Sequence, residues 1–380
     1  MATGVDRVEL AYLARFLSDD TPCFGMVRTA FGYLLLDRAG LQSVQDRTAG
    51  HTPWGAPDGL SRFSRGRSAA GKSAEADFRK LAIARAAPWR LRALLRRLPD
   101  NCAYFNVGHS NLTDRVLSAV KAAGIHANVL VHDVIPLEYP QFQRPGTVKP
   151  FREKLMRVRQ YANLVIYNSA DTQRRAQAHM AGWGAVPEGI VAHLGTVAPL
   201  PDAADLPVGL PPDRPYFVTV GTIEPRKNHG FLLDIWENLG PDAPPLLICG
   251  SRGWNNDAVF DRLDALDPAG PVREIPALSD AALAALVRDA AGSLFPSVAE
   301  GFGLPPVESL VLGTRVLCND LEVLREFLGQ MPVYARVSDQ YHWETTIRSW
   351  AKGDDQANIP TGFKAPTWDE HFNTVLSMRG

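Results

Sequence analysis

Apolar residues in this chain come in short runs of strand length, separated by stretches whose apolar positions recur at helical spacing. In the C-terminal half the runs are Tyr216–Val220 (YFVTV), Pro245–Cys249 (PLLIC), Val272–Pro276, Gly292–Pro296 and Arg315–Cys318. Helices are predicted at His229–Leu239 and Ala281–Ala290, the second capped by Ser279 and Asp280, then at Tyr341–Ala351 and Thr367–Ser377. The N-terminal half repeats the rhythm. Strands are predicted at Phe31–Leu36, Ala103–Val107, Ala127–His132, Asn163–Asn168 and Ile190–Leu194, and helices at Leu112–Ala123 and Lys149–Tyr161, with Ser169 and Asp171 capping another. Gly4–Leu17 is predicted as an amphipathic helix with Thr3 and Gly4 as cap and turn, 74–98 as helix broken at Pro88, and Gly50–Lys72 as a mobile loop. Continuous apolar strands alternating with helices imply parallel sheets covered on both faces, hence an α/β fold.

One stretch, 198–215 (APLPDAADLPVGLPPDRP), is proline-rich and without periodicity. It divides the chain into an N-terminal domain, 1–200, a linker, 201–215, and a C-terminal domain from 216 to 362, followed by 363–380. The 380 residues suffice for two cores, and a formal net charge of −1 provides no global field for nucleic acid. The four cysteines, Cys23, Cys102, Cys249 and Cys318, are far apart and lack zinc spacing. No run approaches the ~20 apolar residues of a transmembrane helix, and no signal-peptide pattern opens the chain. A cytoplasmic protein is the expectation. One local bias stands out: 62–97 holds eleven basic residues against Glu75 and Asp77, interleaved with Trp89, Leu91, Leu94, Leu95 and Leu98. This is either a solvated helix face or a surface that docks on anionic lipid.

Candidate chemistry gathers at three strand ends. Phe295–Gly313 (FPSVAEGFGLPPVESLVLG) reads as strand, glycine turn and helix, with Pro305 and Pro306 in a first turn that accepts proline. Glu300 and Glu308 flank the seven residues of that turn, close to helix N–H groups that favour an anion. After Tyr216–Val220, Gly221 and Thr222 turn the chain, and Arg226 and Lys227 stand just before a helix. A glycine turn, two cations and a helix start form a phosphate cradle, with Glu224 and Asn228 as supports of the loop. The strand ending at His132 continues HDVIPLEYP, which places His132 and Asp133 where open α/β sheets build ligand sites.

Glu300, Gly301, Phe302, Gly303, Leu304, Pro305 and Glu308 together resemble the acidic signature, Glu then seven residues then Glu, of the retaining glycosyltransferases of family 4. The resemblance implies the GT-B fold, two Rossmann-like domains facing across a cleft, with 363–380 as a helix crossing back to the N-terminal domain. It also implies metal-independent transfer of a hexose from a nucleotide diphosphate sugar, with no other cofactor. Arg226 and Lys227 would bind the donor diphosphate, Glu300 the transferred sugar, Glu308 the ribose diol, and His132 would line the sugar pocket. Gly4, Gly221, Gly301, Phe302, Gly303 and Leu304 would approach the donor, and Glu326 matches a common family glutamate. The form GTIEPRKNH looks most like bacterial polysaccharide mannosyltransferases, so GDP-mannose is the first donor and a glycan or polyprenyl-diphosphate-linked saccharide the acceptor. UDP-glucose or a dTDP- or GDP-deoxysugar is the alternative donor. An epimerase or an inactive scaffold that only binds carbohydrate is the alternative class. The family places a strand before the loop at Gly4; Met1–Gly4 has no room for it, so a weakened N-terminal sheet edge is expected.

Overall fold

The computed structural model describes residues 4–63, 67–353 and 362–377. Three strands, β1 (Gly25–Thr29), β2 (Gly32–Leu36) and β3 (Ala84–Ala86), form an antiparallel sheet in that order. Only β2 lies in a run read as strand. The helix expected over 74–98 is instead a helix at Ala69–Leu81, then β3, a turn at Pro88–Arg90 and a short helix at Leu91–Leu95. Tertiary pairing overrides the local pattern: Ala86 lies opposite Tyr33, and Leu91, Leu94 and Leu95 enter a core with Tyr33, Leu35, Val116 and Val120.

The loop expected at 50–72 is also tied down. Gly55 N–H donates to Asp77 (2.7 Å), and Arg79 is buried between Asp58 (2.7 Å) and Glu75 (2.6 Å). The basic surface is therefore smaller than the sequence suggested. Arg79 faces inward, Arg67 and Lys80 pair with Glu75 and Asp77, and the three leucines are core. Arg65 lies outside the described residues, as does the side chain of Arg62.

A second sheet is parallel, in the order β4 (Ala103–Asn106), β5 (His126–Val131), β6 (Leu164–Tyr167) and β7 (Glu188–Val191). The last strand starts and ends earlier than expected, leaving Leu194 beyond the sheet, buried in the contact between the halves. Helix Gly4–Ser18 packs on this unit through Val8 and Tyr12. Any strand before Gly4, and the role of Thr3, lie outside the described residues.

The C-terminal half carries six parallel strands: β8 (Phe217–Val220), β9 (Leu246–Cys249), β10 (Val272–Ile275), β11 (Gly292–Phe295), β12 (Val316–Cys318) and β13 (Val333–Tyr334). Their order is β10-β9-β8-β11-β12-β13. The chain runs outward from β8 on one side and from β11 on the other, so a topological switch point lies between these two neighbours, where α/β sheets open a crevice for ligands. The two-residue β13 is too short to leave a sequence signal.

The halves share one core. Val8, Tyr12, Leu130 and Ile166 from the first meet Phe295, Phe302, Val307, Leu324 and Phe372 from the second. Helix Trp368–Ser377 lies against the first half: His371 bonds Tyr12 through Nε2 (2.8 Å) and the His193 carbonyl through Nδ1 (3.0 Å). Glu326, on helix Glu322–Leu328, accepts from the Ala170 (2.7 Å) and Asp171 (3.2 Å) N–H groups and from His193 (2.7 Å). It thus caps a helix of the opposite half, an interaction of about 1 kcal/mol. Burial raises its pKa, but these donors outweigh it and hold the carboxyl below its ordinary value. Among the described residues no helix is long and apolar enough to cross a membrane.

Candidate functional site

At the switch point, the loops after β8 and β11 bring opposite charges together. Glu300 follows β11 and is buried; its carboxylate takes Arg226 Nη1 at 2.7 Å and Lys227 Nζ at 2.6 Å. Arg226 also holds Glu224 (2.7 Å) and the Ala299 carbonyl (3.1 Å). Burial alone would raise the Glu300 pKa, but Lys227 and Arg226 prevail and lower it to about 2. Burial lowers Lys227 below the usual lysine range despite Glu300 beside it. Burial raises Glu224 above the usual carboxylate value, against the pull of Arg226 and Lys227. The cations are fixed before any ligand arrives, which is the preorganisation that stabilises developing negative charge.

Gly221 follows β8 with φ 140°, and a Cβ there would lie 3.5 Å from Lys227 Cε. The lysine is thus threaded along a glycine backbone. A single bond from the ammonium reaches Glu300 among the described residues, which leaves hydrogens for an anion. Asn228 adopts φ 58° and donates to the Pro296 carbonyl (3.4 Å), joining the two loops.

The other half closes over this group. His132 and Asp133 follow β5, and a Cβ on Gly301 would come within 2.7 Å of the His132 carbonyl and 3.0 Å of Asp133 Cβ. Thr172 donates to the Gly301 carbonyl at 3.2 Å. Burial keeps His132 below the usual histidine range and Asp133 above the usual aspartate range, the latter although Arg226 and His132 pull it down. His132 Nε2–H donates to the Val107 carbonyl (2.6 Å), so only Nδ1 remains to accept a hydrogen bond. Gly301→Ala is expected to cost about 1–3 kcal/mol by overpacking and to lower turnover at least ~10-fold by displacing Glu300. Denaturation midpoints and steady-state rates measure the two effects.

Glu308 lies on helix Leu304–Val311, which starts at left-handed Gly303 (φ 95°) with prolines in its first turn and no side-chain cap. Its carboxylate pairs with Arg7 of the first helix. Burial raises its pKa, with Arg7 opposing. A Cβ on Gly4 would lie 3.6 Å from Leu304 Cδ1, so both helix N-termini flank the same point. Arg7, Glu308, Leu304, Gly195, Thr196 and Trp368 line a cavity of about 160 Å³ there. The sequence reading missed Arg7; an arginine one turn into an amphipathic helix carries no signal until its partner, 301 positions away, is known. Phe302 is buried, stacked on Phe327 at 4.2 Å and 6.4 Å from the His193 ring of the first half, so its ring belongs to the contact between the halves.

The structure therefore forms two groups. Gly221, Arg226, Lys227, Glu300 and Gly301 meet His132 and Asp133, while Gly4 and Leu304 meet Arg7 and Glu308.

Two Rossmann-like units facing across a cleft, with charged loops at strand ends, make this a GT-B fold. The crystal structure of HepE from Anabaena in complex with UDP-glucose is similar over 100% of this chain and 94% of that one, with TM-score 0.62 and 11% identity. Residues 205–354 match the family Glycosyl transferases group 1, and the matched stretch contains Gly221, Arg226, Lys227, Glu300 and Glu308. The serotype-specific mannosyltransferase WbdA of Escherichia coli is 29% identical over 239 residues, 57% of this chain and 29% of that protein. The O-antigen chain mannosyltransferase B of Escherichia coli is 32% identical over 127 residues, 33% of each. The chain spans less than a third of the length of WbdA.

Proposed function

We propose that this chain is a glycosyltransferase that moves mannose, with retention, from GDP-mannose to a hydroxyl of a glycan or lipid-linked saccharide during surface polysaccharide assembly. The observation that carries this reading is the Arg226–Glu300–Lys227 group, closed around a buried carboxylate, at the switch point of a GT-B sheet. The similarity to a serotype-specific mannosyltransferase and to an O-antigen chain mannosyltransferase supports the sugar.

In this reading the donor diphosphate lies against Lys227, Arg226 and the N-terminus of helix Leu304–Val311. The bond from the sugar's anomeric carbon to the diphosphate oxygen breaks, and its electrons go to the leaving group. Protein cations take up that charge without a metal. The acceptor hydroxyl attacks the same face, its oxygen bonds the anomeric carbon, and its proton passes to the departing diphosphate. Glu300 orients the sugar through hydroxyls and stabilises positive charge on the ring. His132 Nδ1 accepts from a sugar hydroxyl, and Glu308 exchanges Arg7 for the ribose diol. With a lipid-linked acceptor the enzyme works at the cytoplasmic face of a membrane, where its basic N-terminal surface faces anionic lipid.

The test is transfer from GDP-mannose to a polyprenyl-diphosphate-linked saccharide in the presence of EDTA, with the product's anomeric configuration read by NMR. An α-linked product supports the reading. A β-linked product, or release of free mannose with no acceptor dependence, contradicts it.

A further inference from the structure

The antiparallel sheet ends in an exposed aromatic cluster that the site does not use. Residues Ala30 and Phe31 form the turn between β1 and β2, and Phe31 is 49% exposed. Because β3 runs antiparallel to β2, with Ala86 opposite Tyr33, the chain after β3 arrives at this same end. There the turn Pro88–Arg90 presents Trp89, 83% exposed. Phe63, 66% exposed, sets its ring edge-on to Phe31 at 6.1 Å. Single exposed apolar side chains are ordinary, but three large aromatics from three separate segments at one sheet end form a patch that asks for a partner.

The charges around the patch have one sign. Arg28, two residues before the turn, and Arg90 and Arg92, beside Trp89, are exposed. From Phe78 to Pro99 the sequence holds no Asp or Glu. The acidic residues of the neighbouring segments, Asp58, Glu75 and Asp77, are engaged with Arg79, Arg67 and Lys80.

We propose that this end of the sheet is an interfacial anchor, with Phe31, Phe63 and Trp89 entering an anionic lipid surface while Arg28, Arg90 and Arg92 hold lipid phosphates. Aromatic rings settle at the boundary between headgroups and acyl chains, and guanidinium forks bind phosphate there. The anchor replaces the leucine face that the sequence suggested, since Leu91, Leu94 and Leu95 are core. It rests on the proposed function only for the reason that a membrane is nearby; the surface itself belongs to a different part of the molecule from Lys227 and Glu300.

The experiment is co-sedimentation of the full chain with vesicles of phosphatidylcholine, with and without phosphatidylglycerol, alongside calorimetric titration with GDP. The wild type is expected to bind only the anionic vesicles, and less so in high salt. F31S/F63S/W89S is expected to lose at least about tenfold in vesicle affinity, and R90E/R92E more, at about fivefold per arginine removed. Both variants are expected to keep GDP binding, which also shows that they fold. Wild-type chain left in the supernatant, triple-variant binding equal to wild type, or a dimer that dissociates on W89S overturns the anchor, whatever GDP does. Loss of GDP binding in the wild type with vesicle binding intact overturns the proposed function and leaves the anchor standing.

Discussion

Lys227→Ala is expected to lower turnover by at least about 100-fold, the scale of removing one preorganised charge donor from a site where charge develops. The ammonium is largely enclosed, 2.6 Å from Glu300 and along the Gly221 backbone, so a water in its place would not supply the same fixed charge. The variant keeps its fold, because Arg226 remains to neutralise Glu300 at 2.7 Å. The effect is expected mainly in kcat, since the interaction grows as the diphosphate leaves, and steady-state kinetics with saturating donor reads it. Near-normal kcat in this variant would remove Lys227 from the chemistry.

Glu300→Gln is expected to act on both activity and stability. Its buried carboxylate is the common partner of two cations, Lys227 nearly enclosed and Arg226 part-exposed, and removing one member of a fully buried group costs about 3–5 kcal/mol, a figure that water at Arg226 reduces. The isosteric amide keeps an acceptor and so lies at the lower end. The acid limb of stability separates charge from shape. The folded pKa of about 2 lies below the ordinary 4.5. The stabilisation is therefore complete above pH ~4.5 and disappears as pH falls toward ~2, a loss of about 3 kcal/mol. Chemical denaturation across that range is expected to show the loss in the wild type and a flatter profile in Glu300→Gln. Turnover of the variant is expected to fall by at least ~100-fold, since the sugar loses an anchor and the cations lose their alignment. Equal acid profiles would mean that Glu300 is not the titrating partner.

Legibility in the sequence followed the local physics. Helix His229–Leu239 and strands β8 to β12 were readable, because a parallel sheet buried on both faces writes continuous apolar runs between helical ones. The Glu300-to-Glu308 turn was readable for a related reason: glycines, prolines and carboxylates there each meet a backbone demand within nine residues. The segment 69–95 was not. Its apolar residues follow helical spacing, yet Ala84–Ala86 is held as strand by pairing with β2, and Leu91, Leu94 and Leu95 turn inward. Nor could the sequence reveal that Arg7 meets Glu308, or that Glu326 caps the helix beginning at Ala170. Those contacts join the two halves and exist only once both are folded. His132 was placed at a strand end correctly, but the bond from its Nε2 to Val107 was invisible, and that bond leaves only Nδ1 for a ligand.

A nucleoside diphosphate is expected to bind at Lys227 and Arg226 without a metal. Calorimetric titration with GDP, UDP and dTDP in EDTA, on the wild type and on Lys227→Ala, tests it most directly. GDP is expected to bind the wild type and to bind the variant at least about tenfold more weakly, the scale of one charged hydrogen bond to phosphate. Preference for UDP or dTDP would contradict the mannose donor while leaving the site. No binding by any of the three, or equal binding by the two proteins, would contradict the account at its centre.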